Sequence, residues 1–493
     1  MVLGYGFDTY LTEADNIYDL IGNCFGGLCE HIDNQQEFTS KYLDQKLNPN
    51  IGILDEFSET IMELMEDYSA SKYASVSQQI LQFVHSINLQ SYLDPKKNQL
   101  TILYCILAAI DSVAGNWENK WMASTLGPLD KQNKTNYRVY YNLKRTIHED
   151  YVAGIGRNRA VSSDFSEQFE NFRFIHESSW KEHINVPQVK YLHPSKAWTE
   201  KNGNAHRLKI AVIPFSVHQN FAFKFVGESS FIVDYANFNQ AYAAEKISQA
   251  VASAIHVGSN IIVLPEYVVS PEVYRSVQQQ IRISRRNMKG MDLMLVFAGT
   301  TWTEEGNNVM RILDAWGEEI GEYYKYSSFT KPKKGKHGFE VCEALCTPGK
   351  RCDIMAIEQI GLFLPAICRD MIDGEYTEKL ARYFLPAFTI IAAWSPSLAQ
   401  FAERQKELAN KYFVSSVLAN ACSSIRKTAL NIGNGGIVSK RKTIAGICKK
   451  DIQREGCTAN CSTGGCFYLL DYDFSFEDKV KNTNIEIIRY QPE

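Results

Sequence analysis

From Arg207 onward, short apolar runs alternate with amphipathic stretches, and this alternation limits the possible folds more than any other feature. RLKIAVIPF reads as a strand, YANFNQAYAAEKISQAVASAIHVG as a long helix closed by glycine, and SNIIVLPE as a second strand. Ser270 to Asn287 continues as helix and LMLVFAGTTW as strand. NNVMRILDAWGEEIGEYYK reads as a hairpin turning at Gly317. The remaining pieces repeat the theme: strand 361–368, helix 373–384, strand 387–394, helix 398–410, strand 413–419, and a hairpin around Asn434-Gly435-Gly436. This spacing predicts a layered α/β domain over residues 207–493.

Residues 1–184 read differently, as a mostly α-helical domain of unknown role. Ile51, Leu54, Phe57, Ile61, Leu64 and Met65 recur at helical spacing, and Val76 to Leu93 repeats the pattern. Leu100 to Val113 is apolar almost all round and predicts the central helix of a bundle. Lys131 to Tyr151 mixes Lys131, Lys134, Arg138, Lys144 and Arg145 with Tyr137, Tyr140 and Tyr141. Basic residues among aromatics suit nucleic acid, but a solvated helix face fits a chain of net charge −4 better. Residues 185–206 carry two prolines and no periodicity, so they read as a linker.

The chain length of 493 residues suits about two or three domains. No apolar run reaches the ~18 to 20 residues of a membrane helix. The N-terminus lacks the basic-then-apolar pattern of a secretory signal, so the expectation is a cytoplasmic protein with no membrane partner. The twelve cysteines are then expected as reduced thiols. Cys448, Cys457, Cys461 and Cys466 cluster, as do Cys342, Cys346 and Cys352, but the paired two-residue spacer of zinc sites is missing. Neither metal nor cofactor is expected; HExxH, GxxxxGK[ST] and GxGxxG are all absent from the sequence.

Three predicted strand ends carry chemistry: LPEY places Glu266 at the end of the strand IIVL, GEYYK places Lys325 at the end of another extended segment, and LFLPAICRD holds a strand whose last residue is Cys368, turning directly into a helix bearing Glu375, Glu378 and Lys379. A thiol before a helix N-terminus sits where the dipole favours thiolate. A thiol, a carboxylate and an ammonium together suit attack on an amide or nitrile carbon. Glu266 would take the thiol proton and hand it to the departing nitrogen. Lys325 and the backbone N–H after Cys368 would hold the oxyanion. A unit charge pair at about 4 Å is worth ~4 kcal/mol at an effective dielectric of roughly 20, so Glu266 and Lys325 largely cancel at rest. The thiol then need not be pre-ionised, and Glu266 would activate the water that hydrolyses the thioester.

Six motifs in order resemble the nitrilase, or carbon–nitrogen hydrolase, superfamily: LPEY, DAWGEEIGEYYKYSSF, LPAICRD, AAWSP (392–396), VLANAC (417–422) and GNGGIVS (433–439). The resemblance spans the C-terminal ~290 residues and leaves the N-terminal region uncovered. It implies a four-layer α-β-β-α sandwich with Glu266, Lys325 and Cys368 as the catalytic set. A second glutamate near the lysine is also implied: Glu340 and Glu343 compete, and Glu343 stands nearer the usual distance from Thr347-Pro348-Gly349. Arg369 replaces the more usual aromatic and, with Trp394, is a candidate substrate contact. The implied activity is hydrolysis of non-peptide C–N bonds, amidase before nitrilase or carbamoylase, on a small-molecule substrate, by a homodimer or larger homo-oligomer. The alternative is a scaffold or effector subunit whose helical domain receives a protein or nucleic-acid partner, as in a bacterial antiphage system with a reverse transcriptase.

Overall fold

The computed structural model describes residues 17–32, 59–60, 63, 95–114, 137–141, 169, 172–176, 187–192, 194, 207–214, 221–227, 229–236, 238–288, 290–332, 340–357, 360–395, 398–412, 414–421, 435–439, 442–443, 466–473 and 484–489. The chain forms two compact units, one of residues 1–144 and 148–182, the other of residues 145–147 and 183–493.

In the first unit, helices α1 (Ile17–His31) and α2 (Pro95–Ala114) pack together, and strands β1 (Tyr137–Tyr141) and β2 (Phe172–His176) pair antiparallel. Leu20, Ile21, Cys24 and Leu28 of α1 and Leu103, Ile106 and Ile110 of α2 are buried. Phe25 stacks on Phe174 at 3.8 Å between ring centroids, with Phe169 edge-on. The expected central helix is thus present and begins earlier, at Pro95. The helical reading of 131–151 is corrected at 137–141. There the chain follows the period of a strand, with Val139 buried between the tyrosines. The helices expected over 51–65 and 76–93 lie almost wholly outside the described residues, as do Cys448, Cys457 and Cys461.

The second unit is mixed α/β, as the alternation predicts. Within the stretch read as a linker, Gln188–Leu192 forms strand β3. Its carbonyl and amide groups pair parallel with a later strand, a use of backbone that side-chain periodicity does not reveal. The next elements are β4 (Arg207–Val212), β5 (Ala222–Val226), β6 (Ser230–Asp234), α3 (Gln240–His256), β7 (Ile261–Val263), α4 (Pro271–Asn287), β8 (Leu295–Trp302), β9 (Asn308–Asp314) and β10 (Glu319–Tyr324). After them come β11 (Thr330–Pro332), β12 (Glu340–Glu343), β13 (Asp353–Ile357), β14 (Gly361–Ile367), α5 (Arg369–Asp373), α6 (Glu375–Phe384) and β15 (Phe388–Ala393). The last are α7 (Ala399–Tyr412), β16 (Ser415–Asn420), β17 (Gly435–Ser439), β18 (Lys442–Thr443), β19 (Cys466–Asp473) and β20 (Asn484–Arg489).

One seven-stranded sheet has the order β10-β9-β8-β7-β4-β19-β20 and the other β18-β17-β16-β15-β14-β13-β3. In the first, β4, β7 and β8 run parallel; in the second, β14, β15 and β16 do. Of these, β7, β8, β14, β15 and β16 are buried along their whole length, and β7 and β14 read as continuous apolar runs. Asn239 and Ser270 cap α3 and α4 by accepting from the N–H of Tyr242 and Val273. Ile247, Val251, Ala254 and Ile255 of α3 share one core with Val273, Val277 and Ile281 of α4 and with Ile262 and Val296 of the sheet. Helices α6 and α7 pack on strands of the second sheet, and Phe297 of the first sheet meets Phe363 of the second at 6.5 Å.

Three further differences from the sequence reading matter. The glycines expected at a hairpin turn, Gly435 and Gly436, lie instead within β17, where they pair with Ala419 and Leu418, and β17 pairs antiparallel with both β16 and β18. The helix after Cys368 is broken at Gly374, where φ is +72° and an added Cβ would meet the Arg404 guanidinium. A third sheet of four strands, β11-β12-β6-β5, was not anticipated.

Candidate active site

The site is built where strands stop. β7 ends at Val263 and the chain runs on through Leu264 and Pro265 to Glu266, whose backbone N–H donates to Ala393 O of the other sheet. This path requires Gly299, at φ +63°, because a Cβ there would lie 2.4 Å from Pro265 O. Tyr267 has φ +65°, and its N–H donates to Thr300 Oγ1 at 2.9 Å. β10 ends at Tyr324, so Lys325 is the first residue past the ladder, and its N–H donates to Asn308 O. β14 ends at Ile367, and Cys368 makes the turn at φ +44° and ψ −99°, a conformation a non-glycine residue holds only under tertiary constraint. Its N–H is fastened to Ala392 O at 2.8 Å.

These ends bring Glu266, Lys325, Glu343 and Cys368 together, all buried. Lys325 Nζ lies 2.7 Å from Glu266 Oε1 and 2.6 Å from Glu343 Oε2. The Cys368 thiol lies within the influence of Glu266, of Lys325 and of the Trp394 N–H. Trp394 N–H also reaches Glu266 Oε2 at 3.0 Å. Glu343, at the end of β12, is the second carboxylate at the lysine, while Glu340 sits at the other end of that strand.

Electrostatics follow from this burial. Burial raises the Cys368 thiol well above its ordinary range, and the Glu266 charge adds to the effect while Lys325 opposes it. The helix-dipole expectation is therefore corrected: α5 is only five residues long, and desolvation outweighs it, leaving a resting thiol. Burial likewise raises Glu266; Lys325 opposes this and Glu343 reinforces it. Burial works against the Lys325 charge, yet Glu266 and Glu343 together push its pKa upward.

Two residues that were given no role complete the cage. Asn308 Nδ2 donates to Glu266 Oε1 at 2.9 Å and to Glu343 Oε1 at 3.1 Å, while its Oδ1 is buried without a hydrogen bond. Tyr267 Oη donates to Glu343 Oε1 at 2.5 Å, and its ring lies 5.6 Å from Lys325 Nζ. Tyr267 was legible, since it stands in LPEY; Asn308 was not, because its place opposite Lys325 depends on a register slip in the hairpin. Asp370 is a buried brace, accepting from the N–H groups of Tyr326 and Ser327 and from Tyr323 Oη at 2.9 Å, so that the residues after Lys325 are tied to the turn after Cys368.

Arg369 is half-buried and its guanidinium is engaged by Asp373 at 2.6 Å. Its backbone N–H opens α5 and has no intrahelical acceptor. The Trp394 ring lies against Phe221 and Phe223 at 5.9 and 5.2 Å. Among the described residues no cluster of His, Cys, Asp or Glu suits a metal ion, and no helix is long and apolar enough to cross a membrane.

No protein-family model and no curated protein matches the chain. Among solved structures, an amidase from Nesterenkonia sp. is similar over 56% of this chain and 94% of its own, at 14% identity and a TM-score of 0.35. Saccharomyces cerevisiae Nit3, a member of branch 10 of the nitrilase superfamily, is similar over 58% of this chain and 91% of its own, at 13% identity and a TM-score of 0.36. The C. elegans NitFhit protein is similar over 56% and 63%, at 13% identity and a TM-score of 0.36.

Proposed function

We propose that the protein is a cysteine-dependent hydrolase of non-peptide C–N bonds, acting through a thioester acyl-enzyme, with small amides preferred over nitriles and carbamoyl compounds. One observation carries the reading. A buried thiol, its pKa raised by desolvation and by a buried carboxylate's charge, belongs to the same cluster as a lysine held by that carboxylate and a second one. In the first step sulfur attacks the amide carbon while Glu266 takes the thiol proton. The carbonyl oxygen becomes an oxyanion, met by the Arg369 N–H and by Lys325. An ammonium has three donors, and two of those on Lys325 face carboxylates. The C–N bond then breaks as Glu266 returns the proton to the departing amine. Glu266 next takes a proton from water, the hydroxide attacks the thioester, and acid and free thiol are regenerated.

A departing amine needs a proton, which favours an amide: the group that deprotonates sulfur stands ready to supply it. A four-layer α-β-β-α arrangement of residues 207–493 is part of this reading. It is supported by α3 and α4 packing on one sheet, α6 and α7 on the other, and ring contact between the sheets. Intact-mass trapping with small amides and hydroxylamine tests the function. The expected result is an acyl mass on the wild type that disappears in Cys368→Ala. An adduct that persists in that variant, or amide turnover without Cys368, overturns it.

A further inference from the structure

The hairpin β5–β6 stands between β4 and α3, and its aromatic side chains converge on the site. Phe221, directly before β5, lies 5.5 Å from Tyr267 and 5.9 Å from Trp394 between centroids. Phe223 lies 5.7 Å from Tyr267 and 5.2 Å from Trp394, edge-on to both. Phe231 of β6 joins Phe223 at 5.0 Å and Phe329 at 6.4 Å. Apart from one another, the rings these phenylalanines touch belong to residues with a polar atom at Glu266, Cys368 or Glu343. Trp394 N–H serves Glu266 and the Cys368 sulfur, Tyr267 Oη serves Glu343, and Phe329 N–H serves Glu343 Oε2 at 2.8 Å. The hairpin is also fixed in place there. Tyr235, just after β6, donates through Oη to Tyr267 O, and β6 pairs parallel with β12, which carries Glu343.

The charges beside this wall are two carboxylates against one ammonium. An anionic substrate group would meet that excess, and the Arg369 guanidinium that could offset it is bound by Asp373. An aromatic ring, by contrast, gains edge and face contacts from the wall in addition to its burial. Resting on the hydrolase reading above, we propose that the β5–β6 hairpin is a specificity wall, with Phe223 its central contact. The substrate then carries an uncharged aromatic or apolar group next to the reacting carbon.

The test uses the full chain as Cys368→Ala, so that binding is read without turnover, with phenylacetamide, acetamide and succinamate as probes in calorimetry. Phenylacetamide is expected to bind at least tenfold more tightly than acetamide, and succinamate more weakly than either. Adding Phe223→Ala should lower the phenylacetamide-to-acetamide ratio about tenfold; Phe223→Leu, which keeps the strand apolar, should lower it by less. The wall is overturned if acetamide or succinamate binds as well as phenylacetamide, if none of the three binds, or if Phe223→Ala leaves the ratio unchanged. Ammonia release by the wild type separates the two readings. Selective binding without release sinks the hydrolase and leaves the wall, whereas release without selectivity sinks the wall alone.

Discussion

Lys325 is the residue on which the cage turns, because it is the cation held between two buried carboxylates that also share the Asn308 amide as donor. Replacing it with methionine leaves Glu266 and Glu343 facing one another without a counter-charge. Such a loss of a buried partner costs about 3–5 kcal/mol, so Lys325→Met should lower the denaturation midpoint severely. The exposed Arg282–Glu318 pair is the control, worth about 0–1 kcal/mol. If both substitutions cost the same, the cage is not under the electrostatic load described. Asn308 acts through the carboxylates rather than on substrate. Asn308→Ala should slow turnover by about a hundredfold through misplacement of Glu266, with the drop in kcat rather than KM. A change confined to KM would assign it to substrate binding instead.

Asp370 gives a pH signature. Burial raises its carboxyl from 3.8 to about 7, opposed by Lys325, by the N–H groups of Ser327 and Tyr326 and by the Tyr323 hydroxyl. Between those values the folded protein holds a proton that the unfolded chain has lost. Its stabilising contribution is therefore complete below the unfolded value and disappears as pH rises through about 7. Urea midpoints at pH 5 and pH 8 should fall more for the wild type than for Asp370→Asn. Equal falls would place the titration elsewhere.

At the scale of elements, the approach of β8 to the loop bearing Glu266 depends on one missing Cβ. Gly299→Ala places a methyl 2.4 Å from Pro265 O at a positive φ, so the loop must move. A cost of about 1–3 kcal/mol with loss of Cys368 acylation is expected, and a variant of unchanged melting temperature and activity would contradict it. The β9–β10 hairpin shows how far sequence carries. Its turn at Gly317 and its end at Lys325 follow from alternation and a glycine. The partner of Lys325 does not, because the register slips between Glu319 and Gly321. Counting back from the turn without that slip pairs Lys325 with Asn307; the slip makes it Asn308, and only Asn308 reaches the carboxylates. Asn307 instead accepts from the N–H and hydroxyl of Thr347. A bulge rests on tertiary contact, so its position is not written in local pattern. The same holds for β6 and β12, distant in sequence and joined by a ladder that hydrophobic periodicity does not signal.

For the molecule as a whole, each of the two units has its own buried core, Phe25 and Phe174 with α1 and α2 in one, and α3, α4 and the sheets in the other. Strand-ending chemistry and helix–strand alternation made the second unit readable, because parallel strands and their crossover helices advertise themselves. The first was read as mostly helical, and β1 of its β1–β2 pair was hidden among tyrosines and basic residues that suit either state. A chain begun at His183 should fold and acquire the acyl mass on Cys368 at the rate of the full protein. An aggregated or unlabelled product would show that the second core is not self-sufficient.

The ladder between β6 and β12 has one more effect. Glu343 stands directly opposite Phe231 in that pairing, so the strand bearing one of the hairpin's rings and the strand bearing the lysine's second carboxylate are joined backbone to backbone. If the hairpin is the substrate wall proposed above, a substituent bulky enough to push it outward would pull on Glu343 too, and a poor fit would loosen the lysine's ion pair.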